Sequence, residues 1–437
     1  MIRTIDLRGQ QLSRAELLAL VPRNAADPAA ALAIADELVS AVRDQGELAL
    51  REQALRLDRV EGHSIRVPRS HFEDALTSLD ESLKSALEVA IARVRAGSAA
   101  QVPAATTTTI ATGAVIEQRW QPVERVGLYV PGGKAVYPSS VIMNVVAAQA
   151  AGVSSIAIAS PPQHNQNGRV HSTILAAAAL LGIDEVYAMG GAGAIGALAY
   201  GISEIGLDPV NVVTGPGNVY VAAAKRVVRG RVGIDSEAGP TEILVIADDS
   251  ANASFVAADL ISQAEHDEMA SSILVTTSPE IASAVAAEVD AQASITTHAP
   301  RVEVALSGTQ SAIVIVDDIH AAIDFSNAYA PEHLEIQTKN ADEVAKKTVN
   351  AGAIFIGDYT PVSLGDYSAG SNHVLPTAGQ AMFSSGLGAY TFLRPQQVIS
   401  YSRDALSVIA DGIQLIARDE ELPAHGDAIA IRFGEVQ

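Results

Sequence analysis

Cysteine is absent from all 437 residues. That excludes disulfides, thiolate zinc sites and iron–sulfur clusters. It also excludes the thiol nucleophile by which many enzymes oxidise aldehydes, so any metal must be held by nitrogen and oxygen. Positive charge is scarce: 29 lysines and arginines against 50 aspartates and glutamates leave a formal net charge of −21. Such a surface repels phosphate backbones, and neither nucleic acid nor an anionic membrane is expected as a partner. Long apolar runs are missing too. The run Ile174 to Ile183 is too short and too alanine-rich to span a bilayer. The opening residues Met1-Ile-Arg-Thr-Ile-Asp-Leu-Arg lack the apolar core of a signal peptide. The expected location is cytoplasmic.

What remains is 48% hydrophobic and 18% charged, the balance of a globular enzyme. The length exceeds the ~250–300 residues at which one core stops growing, so two or more domains are expected. Residues 1–22 read as a short arm ending at Pro22. Asp27-Pro28 reads as an N-cap with proline at the first helical position, opening a helix through about Arg43. A Leu- and Ala-rich helical stretch continues to about Ala100, broken near Gly62 and Pro68, and Thr106 to Thr109 reads as a loop or strand edge. From Val123 the pattern changes to short apolar strands between helical stretches. The first series is Val126 to Val130, Ser155 to Ala159, Glu185 to Ala188 and Val210 to Val213. The second is Ile243 to Ala247, Ile273 to Thr276, Ala312 to Val316, Leu334 to Gln337 and Ile354 to Ile356. This spacing predicts an α/β protein with two doubly wound parallel domains. In the tail, Leu406, Ile409, Ile413 and Ile416 form an amphipathic stripe, to be buried on the chain's own core or on a second subunit.

Gly191-Ala-Gly193-Ala-Ile-Gly196 fits G-x-G-x-x-G after a strand and before a helix, where backbone amides can approach a pyrophosphate. No acid stands at the next strand's end, Val213-Thr214, to hold ribose hydroxyls. Cofactor contact and tight helix–sheet packing both remain open. Pro131-Gly132-Gly133 and Gly215-Pro216-Gly217-Asn218 also follow strands, either lining the same crevice or making ordinary turns.

Of ten histidines, His63, His71, His164, His171, His298 and His320 lie in contexts that read as plain loops or surface. Gln263 and His266 are three apart in a helical run, able to reach one ion or simply to end a solvated helix. Glu332-His333 precedes a strand, and a carboxylate beside a histidine suits general base work, though structural roles also fit. The segment Gly365-Asp366-Tyr367-Ser368-Ala369-Gly370-Ser371-Asn372-His373 is too polar for a core and offers Asp366 as a metal ligand. Glu420 and His425 follow the C-terminal helix, where a solvated charged end is the plain alternative.

In order along the chain, Gly127-Leu-Tyr-Val-Pro-Gly-Gly, Gly-Gly-Ala-x-Ala-Ile at 190–195, Gly-Pro-Gly-Asn at 215–218 and Ala238-Gly-Pro-Thr-Glu resemble the histidinol dehydrogenase family. So do Ser262-Gln-Ala-Glu-His, Pro331-Glu-His-Leu, Gly365-Asp-Tyr, Ser371-Asn-His-Val-Leu-Pro-Thr and Ala424-His. The resemblance covers nearly the whole chain. It implies oxidation of L-histidinol to L-histidine with two NAD, at the end of histidine biosynthesis. Gln263, His266, Asp366 and His425 correspond to the family's zinc ligands, which also contact substrate. Glu332 and His333 match its catalytic pair, and His333 contacts substrate as well. Tyr129 and Asn218 match NAD-contacting positions, and Glu420 a substrate contact. Thr241 stands where the family often has a substrate-contacting serine, keeping the hydroxyl. Gly193 stands where it often has an NAD-contacting glutamine, so only backbone is offered there.

The implied fold is two incomplete Rossmann-like domains, an N-terminal arm and a C-terminal segment exchanged in a homodimer with shared active sites. The corresponding division is an arm at 1–22, a first domain at 23–128 and 241–387 with zinc and catalytic residues, a second at 129–240 on the NAD side, and an exchanged segment at 388–437. A zinc-dependent hydrolase and a non-enzymatic NAD or metabolite sensor are the rival readings.

Overall fold

A computed structural model describes residues 1–23, 28–132, 135–237 and 239–434. Asp27 of the expected helix start, Gly133 of the first glycine loop and Ala238 of a family motif lie outside the described residues. The chain forms two units, Met1–Gln101 with Glu124–Phe392 and Val102–Val123 with Leu393–Gln437.

The larger unit contains two parallel sheets; strands are numbered β1 to β14 along the chain. The first sheet has the order β1 (Thr4–Asp6), β11 (Ala312–Ile315), β10 (Ser271–Thr276), β9 (Glu242–Ala247), β12 (His333–Gln337), β13 (Ala353–Ile356). Both faces are covered, which is why its strands are near-continuous apolar runs. Leu244, Ile246, Ile273, Val275, Leu334 and Ile336 enter one core, while Ile243, Val245, Ala247 and Leu274 enter the other, as a period of two requires. The helix Ala253–Ala264, capped by the Asn252 side chain, covers the second face with Val256, Leu260 and Ala264.

The second sheet has the order β6 (Val186–Ala188), β5 (Ser155–Ser160), β4 (Arg125–Tyr129), β7 (Val212–Thr214), β8 (Gly233–Ile234). Its core is closed by the helices Gly191–Tyr200 and Val219–Val228 together with Pro28–Gln45, whose Ala35, Leu38, Val39 and Val42 recur at helical spacing. The helix Pro28–Gln45, grouped by sequence with the other half, therefore supplies apolar surface to this sheet.

All nine strands expected from Val123 onward are present, with ends displaced by two residues at most. Residues 1–22 are more than an arm. β1 adds in parallel to β11, and the helix Arg14–Leu20 starts from a Ser13–Glu16 capping box. The smaller unit has an antiparallel sheet, β14 (Leu393–Tyr401), β3 (Ala114–Pro122), β2 (Thr106–Ala111), and the helices Arg403–Asp419 and Pro423–Ala430. The threonine run lies in β2, exposed along its length. The apolar stripe of Arg403–Asp419 is covered in part: Leu406 and Ile413 are half-buried, Ile409 is 42% and Ile416 62% exposed, and Ala405, Ala410 and Ala417 are buried. Among the described residues no helix is long and apolar enough to cross a membrane.

Candidate active site

The candidate catalytic groups gather at the amino ends of the first sheet. Thr241 precedes β9, His333 opens β12 in register with Ile243, and the helix Ala253–Ala264 returns the chain to this edge with Gln263 in its last turn. Thr241 is the hub. Its Oγ1 donates to Glu332 Oε2 at 2.5 Å and accepts from Gln263 Nε2. The Glu242 N–H also donates to Glu332 Oε2, at 2.9 Å. His333 Nδ1 lies 3.0 Å from the Glu242 carbonyl and 3.6 Å from Glu332 Oε2. A carbonyl only accepts, so Nδ1 carries the proton and Nε2 keeps its lone pair.

Burial sets the protonation of this pair. Glu332 is pushed up to about 8 by burial, against the opposing effect of the Thr241 and Glu242 donors. His333 is pushed down by burial and stays neutral, with Asp366 and the Glu242 carbonyl pulling the other way. A carboxyl able to exchange a proton near neutrality stands beside a neutral imidazole, a pairing suited to general base chemistry.

The neighbouring donors fit a divalent ion. Gln263 is buried, and its Oε1 has no hydrogen-bond partner, an expensive condition unless something else takes the oxygen. His266 Nδ1 donates to the Ser262 carbonyl at 3.1 Å, which frees Nε2. Asp366 acts electrostatically on both His333 and His373. An amide oxygen, an imidazole nitrogen and a carboxylate suit zinc. Among the described residues, no three His, Asp or Glu side chains are close enough to hold an ion by themselves. Glu420, at the end of the helix Arg403–Asp419, and His425, in Pro423–Ala430, belong to the smaller unit and are exposed.

The glycine loops occupy the carboxyl ends of the second sheet. Tyr129 ends β4, and its buried hydroxyl, pushed up to about 12 by burial, accepts the Gly191 N–H at 3.1 Å. Asn218 caps the helix Val219–Val228 through the N–H groups of Tyr220 and Val221. At Gly215 the backbone has φ +116°, and a Cβ would collide with the Tyr129 carbonyl. At Gly193 a Cβ would collide with Gln53 Oε1, and at Gly196 it would press on Val39 Cα at 3.2 Å. Both glycines thus admit close neighbours. An acid does stand beside the β7 loop: Asp235 accepts the Gly215 N–H at 2.8 Å, but Lys225 holds its other oxygen.

The profile described as histidinol dehydrogenase matches residues 21–433. A protein named histidinol dehydrogenase from Leifsonia xyli subsp. xyli is 63% identical over 434 residues, 99% of this chain and 100% of that protein. One from Mycobacterium tuberculosis is 55% identical over 432 residues, 98% of this chain and 97% of its own. The chain belongs to the histidinol dehydrogenase family. A crystal structure of histidinol dehydrogenase from Elizabethkingia anophelis superposes with a TM-score of 0.91 at 32% identity, covering 99% of this chain and 98% of that one.

For a histidinol dehydrogenase relative, two features of the site were not readable as roles in the sequence. His373 is partly buried, its side chain 12% exposed, with Nδ1 donating to the Asp366 carbonyl at 2.9 Å and Nε2 3.1 Å from Ser140 Oγ. Its place in the polar 365–373 segment was visible, although Gly365, Asp366 and Tyr367 end the helix Val362–Tyr367 where the sequence reads as loop, and its partner Ser140 is 233 residues away. His63, which reads as surface, is 8% exposed and lies 3.0 Å from the Ala188 carbonyl.

Proposed function

We propose that this chain oxidises L-histidinol through bound L-histidinal to L-histidine with two NAD, as the last step of histidine biosynthesis. The observation that carries this reading is the Thr241 hydroxyl, which ties the Glu332 carboxyl to Gln263. In its support stand the family match over 21–433 and the neutral tautomer of His333.

Zinc held by Gln263, His266, Asp366 and a partner's His425 would supply a template for the substrate's amino and imidazole nitrogens, while NAD takes hydride. His333 Nε2 accepts the alcohol proton as hydride leaves the carbinol carbon. Without a thiol the aldehyde cannot become a thioester, so its oxidation goes through a hydrate. Glu332 takes a proton from the water that adds to the aldehyde carbon. One oxygen of Glu332 is fixed by Thr241 and the Glu242 N–H, and the other is left for that water. As the water adds, His333 gives the aldehyde oxygen the proton it took from the alcohol, and it then takes a hydrate proton as the second hydride departs. Thr241 and Glu420 contact substrate, and Tyr129, Gly193 and Asn218 line the NAD side, Gly193 through its backbone.

The two sheets are read as two incomplete Rossmann-like domains. Their matching strand orders, with β4 and β9 as the central first strands, support this. The chain acts as a cytoplasmic homodimer with an exchanged C-terminal segment, and the open stripe at Ile409 and Ile416 supports a second copy as its cover. The test is NADH absorbance after adding histidinol to protein and NAD. Two NADH per histidinol are expected, falling away with a chelator. No NADH would leave the hydrolase or sensor readings standing.

A further inference from the structure

Substrate groups at the first sheet and cofactor loops at the second must meet within near-attack distance, and a misplacement of about 1 Å costs roughly 10²-fold in rate. The helix Pro138–Ala151 runs between them, and its buried residues are apolar except for Ser139, Ser140 and Asn144. Asn144 is fully buried, as is Thr214 at the end of β7. A buried amide is costly unless its donors and acceptor are used.

Here each link is used, and in one direction. His373 Nδ1 donates to the Asp366 carbonyl, so its Nε2 accepts from Ser140 Oγ at 3.1 Å. The Ser140 carbonyl accepts from Asn144 Nδ2 at 2.8 Å, and Asn144 Oδ1 accepts from the Thr214 hydroxyl at 2.7 Å. The next residue, Gly215, donates its N–H to Asp235, which Lys225 holds in a buried ion pair. A second tie runs from the same loop to the same helix, Asn372 Nδ2 donating to the Met143 carbonyl at 2.8 Å. Asn144 satisfied by its own helix would need only Ser140. Its oxygen instead reaches a strand of the cofactor sheet.

We propose that Ser140, Asn144 and Thr214 are positioning residues that lock the Asp366–His373 segment to the Gly215–Asn218 loop, aligning substrate with nicotinamide. The inference rests on the functional reading above. Chains of this kind stiffen a structure because hydrogen bonds in low dielectric are stronger and reinforce one another.

Thr214→Val removes the hydroxyl and keeps the shape, Thr214→Ser keeps the hydroxyl, and Ser140→Ala cuts the chain at its other end should Thr214→Val fail to fold. The expected result is a kcat lower by about 10–100-fold in Thr214→Val, with separate affinities for histidinol and NADH little changed. Thr214→Ser restores the rate, and Ser140→Ala/Thr214→Val falls no further than either single variant. Amide hydrogen exchange gives a readout independent of turnover: Thr214→Val should speed exchange in the 366–373 segment of the opposite edge. A folded Thr214→Val with wild-type kcat, losses that multiply in the double variant, or unchanged exchange at 366–373 would overturn the tie. Absence of NADH formation by the wild type would instead remove the functional reading while the exchange result still decides the tie.

Discussion

The two parallel sheets are built alike and, on the proposed function, used at opposite ends. Leaving β1 aside, each places its first strand centrally, its second and third on one side and its fourth and fifth on the other. In the β4–β8 sheet the glycine loops lie beyond the carboxyl ends, where open α/β sheets usually bind ligands. In the β9–β13 sheet the carboxyl ends open on an acidic crevice lined by Asp248, Asp317 and Asp318, while Thr241, Gln263 and His333 stand at the amino ends. These three acids already have partners. Asp248 accepts from the Ser250 and Lys339 N–H groups, Asp317 from the Gly9 N–H, and Asp318 caps the helix Ile319–Tyr329. Strand order thus sets the architecture but not the edge proposed to do chemistry, which is argued from the side chains gathered there.

The strongest way to break the comparison is to disable the amino edge. Glu332→Gln keeps the shape but not the base, so oxidation of histidinal should fall by about 10²–10⁴-fold, and oxidation of histidinol far less. Single-turnover rates from both substrates measure this, and equal losses would remove Glu332 from the hydration step. At the carboxyl edge of the other sheet, Gly215→Ala forces a side chain into a backbone with positive φ and against the Tyr129 carbonyl. A loss of at least about 2 kcal/mol in unfolding free energy is expected, with a raised KM for NAD and little change in histidinol affinity. Unchanged NAD kinetics would separate this loop from the cofactor.

A smaller effect delimits the catalytic edge. Glu335 shares the His333 face of β12 and is fully buried, and burial together with the facing Asp259 carboxylate holds it well above the ordinary carboxyl range. Below that ordinary range both folded and unfolded Glu335 are protonated and nothing is lost. Above it the unfolded group ionises first, so stability falls as pH rises toward the folded value. Glu335→Gln should therefore raise Tm, more at alkaline than at acid pH, and leave kcat near wild type. A Tm gain independent of pH would contradict this linkage.

Much of this was legible in the sequence because parallel strands buried on both faces announce themselves as short apolar runs, as Ile243 to Ala247 does. β1 was hidden by its length, three residues of which two are exposed. β14 was hidden because it is exposed along nearly all of its length and pairs with β3, 271 or more residues earlier, so no local pattern reports it. In the site, Gln263 and His266, and Glu332 and His333, are near neighbours in the chain and could be read together. The Thr241 bridge and the Ser140–His373 contact join residues 91 and 233 apart, and spacing carries no sign of them. Gly193 shows the limit from the other side. Its motif spacing is that of a phosphate loop, yet its open face is filled by Gln53.

Crystals grown with zinc and histidinol, read by anomalous scattering at the zinc edge, test the account most directly. The expected peak lies at the amino edge of the β9–β13 sheet, in contact with Gln263 Oε1, His266, Asp366 and the partner subunit's His425. A peak in the acidic crevice at the carboxyl edge, or one at the amino edge with no second chain beside it, would contradict the shared site.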